Sequence, residues 1–355
     1  KKHSMPMVIS GLVLALCCGR DGKLSSLHRH LVNHYPQLCL ATGQQPDRPI
    51  SRAQLPLLLA KVNGNLLADL LFTWFGLVLT PAHKRWFAVD GKELRGSIKP
   101  AHKRGEACVS VLDHASSQVV GQAYYQGNKE SERPTTRQLL NDRGLYHQQL
   151  SLDALHLNPL TVNAIQGAGG VYMIGLKGNQ AKLYQHCLAL SLVEKAAYER
   201  SDEAQRGHGR IEQRSYRCFR VDSWALAQRW QASGLSWVIA VKRLEYTLAG
   251  EKMSETTSYF VSNAQVVDQK QANALFDAIR QHWLIEVMHH RRDVTLSEDK
   301  LRTGDGVISR LMSSLRALVI NLLGKTKPVN MTAQIEGFAD KFHTLTQFMT
   351  QQMIL

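Results

Sequence analysis

The chain has 355 residues, of which 44% are hydrophobic and 20% are charged, and its formal net charge is +14. This length predicts one to three domains. The composition excludes a disordered or low-complexity chain, because no long polar or repetitive tract interrupts it. The positive charge makes nucleic acid the leading partner class, although many basic proteins bind no nucleic acid.

The cysteines argue against a zinc site or a disulfide framework. They are Cys17, Cys18, Cys39, Cys108, Cys187 and Cys218. None forms a CxxC pair or a Cys/His cluster with zinc-site spacing. We therefore expect reduced cysteines in the core of a cytoplasmic protein.

An apolar run over residues 7–18 follows Lys1 and Lys2 and imitates a signal peptide. About twelve apolar residues are too few to span a bilayer, and Ser4 and Pro6 are typical of a helix start. We interpret the run as a buried helix of a protein without a membrane segment. An exported protein is the alternative.

Periodicity predicts the elements in chain order. Apolar residues at helical spacing over 5–80 indicate a helical N-terminal domain, residues 1–80. Three strands are then predicted at 86–91, 107–112 and 119–125, with a turn at 113–117. The next predicted elements are a helix that Pro134 opens and that runs through 140, a strand at 150–153, a strand at 171–176 and a helix at 181–190.

The pattern changes after residue 194. Polar β stretches at 214–221, 237–241 and 257–262 predict a β-rich insertion over 195–265. Helices are predicted at 272–290, with Leu275, Ile279, Trp283 and Val287 near one face, and at 307–323. The fold class is therefore α/β, with a catalytic core split between 81–194 and 266–355.

Three acidic residues lie at informative places in this order. Asp90 ends the first predicted strand, Asp153 ends the fourth, and Glu286 lies on a later helix. RNase H-like mixed sheets place the first and fourth strands side by side, so that such acids gather at one edge. Singly, each acid has a simpler explanation as a turn residue, a helix cap or a solvated helix position. Similar strand orders also occur in unrelated folds.

Clustered carboxylates indicate a site for hard divalent cations, because the acids repel one another unless cations neutralise them. Mg²⁺ is the expected ion, and Mn²⁺ is expected to substitute for it. Two such ions about 4 Å apart activate a nucleophile and stabilise a leaving oxygen in phosphodiester chemistry.

Four sequence blocks, in order, resemble those of the H-repeat-associated (ISAs-type) insertion-sequence transposases. They read FAVDGKELRGS at 87–97, LDALH at 152–156, YMIGLKGNQ at 172–180 and RGHGRIE at 206–212. A fifth block, HWLIE at 282–286 with DVT at 293–295 and ED at 298–299, resembles the glutamate helix of the family. This block departs from the family by Val287 in place of asparagine and by a stretch to Asp293 that is one residue shorter.

The resemblance implies an RNase H-like DDE transposase in which Asp90, Asp153 and Glu286 are the catalytic residues and metal ligands. It implies binding to the terminal inverted repeats and to the target in double-stranded DNA, strand cleavage and strand transfer. It also implies a homodimer or higher oligomer on DNA and a cytoplasmic, nucleoid-associated location. The alternative is a domesticated or decayed relative that binds or cuts DNA without transposing. Should one ligand differ, Glu298 and Asp293 are the nearest substitutes for Glu286.

Basic and polar side chains near these blocks are candidate DNA contacts. They are Lys92, Arg95, Lys177, Asn179, Arg206, His208, Arg210, His289, Arg291 and Arg292. Glycine-flanked or strand-end cations suit phosphate contact, whereas an exposed hairpin or a solvated basic helix end is the simpler alternative. His156 either assists the site or caps a helix.

Overall fold

The computed structural model describes residues 3–44, 48–75, 77–126, 129–207, 209–222 and 226–351. The helices are α1 Met5–Cys17, α2 Leu24–Asn33, α3 Tyr35–Thr42, α4 Gln54–Leu59, α5 Gly64–Trp74, α6 Lys129–Asp142, α7 Pro159–Gly167, α8 Ala181–Val193, α9 Gln269–His290, α10 Gly306–Lys325, α11 Met331–Asp340 and α12 Phe342–Gln351. The strands are β1 Trp86–Glu93, β2 Glu106–Asp113, β3 Val119–Gln126, β4 Gln149–Leu152, β5 Val171–Leu176, β6 Tyr198–Ser201, β7 Gln205–Gly207, β8 Arg210–Arg220, β9 Trp237–Thr247 and β10 Lys252–Ser262.

A single mixed sheet organises residues 86–262, with the order β3-β2-β1-β4-β5-β10-β9-β8-β6 and with β7 beside β8. The first three strands form an antiparallel meander, and β1, β4 and β5 run parallel. The first and fourth strands are therefore neighbours. This arrangement confirms the predicted α/β fold with an RNase H-like mixed sheet.

The β-rich residues continue this same sheet. Strand β10 pairs antiparallel with β5, and β9 and β8 follow as strands of 11 residues each. These strands are longer than the sequence predicts, because their outer halves are exposed or only partly buried and lack the apolar alternation that marks a half-buried strand. The limits of the predicted domains remain predictions.

Helix α1 lies inside the molecule, as the buried-helix interpretation expects. Its residues Leu12, Leu14 and Leu16 are fully buried and belong to one hydrophobic core with α10, α11 and α12. Within the described residues, only α10 is long and apolar enough to cross a membrane by length and composition, and 83% of that stretch is buried in the protein.

Two details of the predicted helices are wrong. Pro134 does not open α6 but lies inside it, where its missing N–H leaves one helical hydrogen bond unmade. Trp283 is 62% exposed and does not share a buried face with Leu275. The reason is that α9 contacts two different cores, through residues such as Phe276 near its start and Ile285 near its end, so no single apolar stripe runs along it.

A buried charge cluster joins the end of α9 to β1 and α10. It consists of Lys92, Arg292, Glu298 and Arg316, all at most 8% exposed. Arg292 Nη2 lies 2.8 Å from Glu298 Oε1, and Lys92 Nζ lies 3.3 Å from Glu298 Oε2. Because Glu298 is shared by cations from β1 and from the turn after α9, these charges can be buried together.

The five residues after α9, Arg291–Thr295, form a π-helical turn. From this turn Asp293 Oδ1 reaches Lys92 Nζ at 2.7 Å. Arg292 also donates to Ser313 Oγ of α10 at 2.6 Å. The chain that follows α9 is therefore anchored on both sides.

We expect Glu298→Gln to destabilise the fold by about 3 to 5 kcal/mol at pH 7, because it leaves buried cations unpaired. Burial favours a higher pKa for Glu298, but the charges of Arg292 and Lys92 outweigh it and lower its pKa from 4.5 to about 2. The stabilisation is thus complete above about pH 4.5 and shrinks as the pH falls toward 2. Urea unfolding at pH 7 and at about pH 3 measures both effects.

Glu255→Gln is the matched control. Glu255 pairs with Lys242 and Lys252, and its pKa is lowered to about 2 as well, but these pairs lie at the surface and are screened. We expect no measurable change in its unfolding. Equal losses in the two variants would contradict the role given to the buried cluster.

Candidate active site

The first two acids lie next to each other across the β1–β4 pair. Val89 pairs with Leu152 in parallel register. Asp90 directly follows Val89 and Asp153 directly follows Leu152, so the two acids lie side by side. Asp90 does not end β1, which continues to Glu93 through its pairing with β2. Asp153 leaves β4 and caps the short helix Ala154–His156 by accepting a hydrogen bond from the Leu155 N–H at 2.9 Å.

Glu286 approaches the same place from α9. Burial and the charge of Asp90 raise the pKa of Glu286, while Lys177 opposes that shift. Burial, Asp90 and Glu132 likewise raise the pKa of Asp153, against the effect of His156. The three acids therefore share one electrostatic environment in which their negative charges are mutually unfavourable.

Histidines surround Asp90. Its Oδ2 lies 3.4 Å from His289 Nδ1. Burial favours a raised pKa for Asp90, but the hydrogen bond and charge of His289, with His282 and the Gly91 N–H, leave the pKa of Asp90 lowered. Asp90 is thus the acid held most firmly in its charged form.

A chain of hydrogen bonds fixes α9 over the sheet. Ser151 Oγ of β4 lies 3.0 Å from His282 Nδ1 and 3.0 Å from His114 Nε2. His114 Nδ1 in turn lies 3.2 Å from Gln281 Oε1. Burial and His282 lower the pKa of His114 to about 4. Since Glu286 follows His282 by one helical turn, this contact sets where its carboxylate enters the site.

The acids suit a divalent cation by their chemistry, since all three are carboxylates whose repulsion a cation relieves. Nevertheless, no three His, Cys, Asp or Glu side chains among the described residues lie close enough together to hold one ion. An ion bound by Asp90 must also share or displace its contact with His289. The structure therefore brings the three carboxylates near one another but does not place them close enough to coordinate one ion together.

Several candidate DNA contacts are exposed, as phosphate contact requires. They are Arg95, Lys177, Asn179, Arg206 and Arg291. Arg210 is partly exposed and pairs with Glu245 at 3.2 Å, and Asn179 uses its amide to donate to the Ala154 carbonyl at 2.8 Å. His289 faces Asp90 instead of solvent. His208 lies outside the described residues.

Two of the predicted DNA contacts are buried. Arg292 is fully buried and Lys92 is 8% exposed, and both are committed to the buried charge cluster, so neither can reach a phosphate. The same cluster excludes Glu298 as a substitute metal ligand, because both its oxygens pair with buried cations. Asp293 is engaged with Lys92.

Four residues that sequence reasoning missed lie at or next to the site. They are Glu132, Tyr125, His114 and Ser151. Glu132 is 6% exposed on α6, and the Tyr125 hydroxyl donates to its Oε2 at 2.9 Å. Burial is the only feature that distinguishes Glu132 from the other polar residues at the start of α6. The sequence of this segment does not reveal which of its residues are buried. His156, by contrast, was noticed, and it lies between Glu132 and Asp153.

Residues 81–322 match the family model described as "Transposase DDE domain", which is more than half of the chain. The chain belongs to the DDE transposase family. The region covers the meander, the three parallel strands, α9 and most of α10. Asp90, Asp153 and Glu286 all lie within it.

Relatives from Escherichia coli agree with this family. The chain is 28% identical over 247 residues to "Putative protein YbfL" of strain K12 and 27% identical over 247 residues to the "H repeat-associated putative transposase YhhI" of the same strain. Each match covers 68% of this chain and 64% of the relative. "Putative transposase YncI" of O157:H7 is 26% identical over 254 residues, with 68% of this chain and 62% of the relative covered. The chain thus spans slightly less than two thirds of these relatives, and the resemblance to H-repeat-associated transposases is confirmed.

We expect Glu286→Gln to raise the stability of the metal-free protein by less than about 1 kcal/mol at pH 7, because it removes a repelled charge that solvent partly screens. The pKa of Glu286 is raised in the folded state, so its cost is present at neutral pH and disappears as the carboxyl is protonated at acidic pH. Thermal unfolding in EDTA at pH 7 and at about pH 4 tests this. A Glu286→Gln variant less stable than the wild type at pH 7 would contradict it, and Glu251→Gln, in the β9–β10 turn, is the control.

Proposed function

We propose that this chain is the DNA transposase of an insertion sequence. It binds the terminal inverted repeats of its element, cuts the DNA there and joins the freed ends to a target. The observation that carries the proposal is the parallel register of β1 and β4, which brings Asp90 beside Asp153 under the helix that bears Glu286, in a chain of the DDE transposase family.

Asp90, Asp153 and Glu286 would hold the divalent cations, with Mg²⁺ the expected ion and Mn²⁺ its substitute. Bound ions of this kind activate the attacking oxygen and stabilise the leaving oxygen of a phosphodiester. The residues of the chain supply the arrangement. The sheet fixes the two aspartates, and His282 on α9 fixes the approach of Glu286 through Ser151.

The exposed cations would guide DNA to these acids. Lys177 follows β5, the strand beside β4, and it is close enough to Glu286 for its charge to lower the pKa of that acid. It can therefore contact a phosphate at the entrance of the site. Arg206 and Arg210 lie at the hairpin of β7 and β8, where a duplex held over the extended sheet would pass.

The remaining assignments belong to the same proposal. Residues 1–80 form a DNA-binding N-terminal unit, 81–194 and 266–355 form the catalytic core, and 195–265 form the β-rich insertion. Two element ends must be held together, so at least a homodimer assembles on DNA. The protein would act in the cytoplasm at the nucleoid.

A second candidate is a decayed relative that binds DNA without transposing. Val287 and the shortened stretch after Glu286 favour it, because they alter the glutamate block. The three acids argue against it.

The central test uses the full-length protein and a plasmid that carries its gene with the flanking DNA. We expect Mg²⁺-dependent strand breaks at the element boundaries, and we expect Asp90→Asn to lower the rate by about three orders of magnitude, equivalent to about 4 kcal/mol. Asp340→Asn, on the exposed end of α11, should cut like the wild type. Binding to the plasmid without any metal-dependent breaks would favour the second candidate.

The DNA contacts are tested by the salt dependence of binding. Lys177→Gln and Arg206→Gln should each weaken duplex binding on any sequence and reduce the slope of log K against log salt by about 1, because each removes one phosphate contact. Lys341→Gln, an exposed cation between α11 and α12, should leave the slope unchanged. Equal slopes for all four proteins would refute this path for the DNA.

A further inference from the structure

A fourth carboxylate lies against the candidate active site. Glu132 is 6% exposed, and a Cβ placed on Gly91 would lie 2.3 Å from the Glu132 Cδ and 2.5 Å from its Oε2. The absence of a side chain at position 91 therefore lets the Glu132 carboxylate pack on the backbone directly after Asp90.

Both oxygens of Glu132 have a neighbour. The Tyr125 hydroxyl donates to Oε2 at 2.9 Å, and His156 Nε2 lies 3.3 Å from Oε1. A carboxylate this deeply buried needs such neighbours, because an unpaired buried charge is strongly unfavourable.

His156 connects this carboxylate to Asp153. Its ring is fully buried, and its Nε2 also lies 3.8 Å from Asp153 Oδ1. Neither ring nitrogen has a fully formed hydrogen bond to any described residue. The imidazole thus lies between two carboxylates.

The contacts of Asp153 are one-sided. Within the described residues, Oδ1 accepts from the Leu155 N–H at 2.9 Å and faces His156, whereas Oδ2 makes no hydrogen bond or ion pair. A carboxylate held through one oxygen presents the other in a fixed direction. Side chains that orient a metal ligand in this way raise metal affinity without touching the ion.

We propose that Glu132 and His156 are positioning residues, which hold the Asp153 carboxylate so that Oδ2 is free to bind the divalent cation. This inference rests on the proposed function, because it assumes that Asp153 is a metal ligand. Tyr125 completes the set by orienting Glu132. Gly91 provides the space that the set occupies.

Direct binding of Mn²⁺ alone to the full-length protein tests the inference without DNA and without catalysis, by the electron paramagnetic resonance signal of free Mn²⁺. We expect His156→Ala to weaken Mn²⁺ binding by about 10- to 100-fold, the range typical for loss of a group that orients a ligand. His156→Gln can place a donor near the position of Nε2, so it should retain most of the affinity. Tyr125→Phe removes only a hydroxyl and should cause a smaller loss, of about 2- to 5-fold.

His30→Ala is the matched control. His30 is also a buried histidine, 3% exposed, but it packs against His34 and Phe342 among the terminal helices. Its variant should bind Mn²⁺ like the wild type even where its thermal stability falls. Thermal unfolding of every variant separates a loss of folded protein from a loss of affinity.

The outcomes separate the two proposals. Wild-type affinity in His156→Ala, or an equal loss in His156→Gln and His156→Ala, would overturn the positioning role while leaving the proposed function intact. Loss of affinity in His30→Ala to the same degree would overturn it as well. No Mn²⁺ binding by the folded wild type would instead remove the metal site on which both proposals depend.

Discussion

Repulsion between carboxylates is the constraint on which the arrangement of this protein depends. Asp90, Asp153 and Glu286 are brought into one environment in which burial and neighbouring charges raise the pKa of the latter two. Backbone hydrogen bonds of the β1–β4 pair hold the two aspartates together irrespective of their charge. Cationic and polar groups, notably His289 and Lys177, then offset part of the repulsion from the sides. The pairing of the strands therefore holds the acids close together, although electrostatic repulsion alone would separate them.

The third acid depends on how α9 is held. On one side, His282 is tied to the sheet through Ser151. On the other side, the chain leaves the helix through a π-helical turn whose Arg292 is buried against Glu298. Charges this deep contribute little net stability compared with apolar packing, but they are costly to mispair and so favour one arrangement. We infer that Arg292 sets the end of this helix.

Sequence reasoning succeeded where the signal is local and failed where it depends on burial. Strand order and the acids at strand ends predicted the mixed sheet, and residues 171–176 form a strand with the predicted bounds. Lys92 and Arg292 look like any other cation near an acidic site, and only the fold shows that Glu298 neutralises them inside the core. Glu132 was missed for the converse reason, since nothing in its segment reveals that α6 brings it onto Gly91. The hydrophobic pattern of a sequence shows which residues alternate between buried and exposed positions. It does not show which charges pair inside the core, because the partners come from distant segments of the chain.

The presence of Glu132 near Asp153 needs a physical reason, because a further negative charge adds to the repulsion. Its charge raises the pKa of Asp153, so its effect on the isolated site is unfavourable. A group with that cost is tolerated where it orders another group, and Tyr125 and His156 link it to one oxygen of Asp153. Repulsion of this kind disappears once cations enter, while the orienting contacts persist. The arrangement is therefore unfavourable in the metal-free protein, and under the proposed function a bound cation would offset that cost.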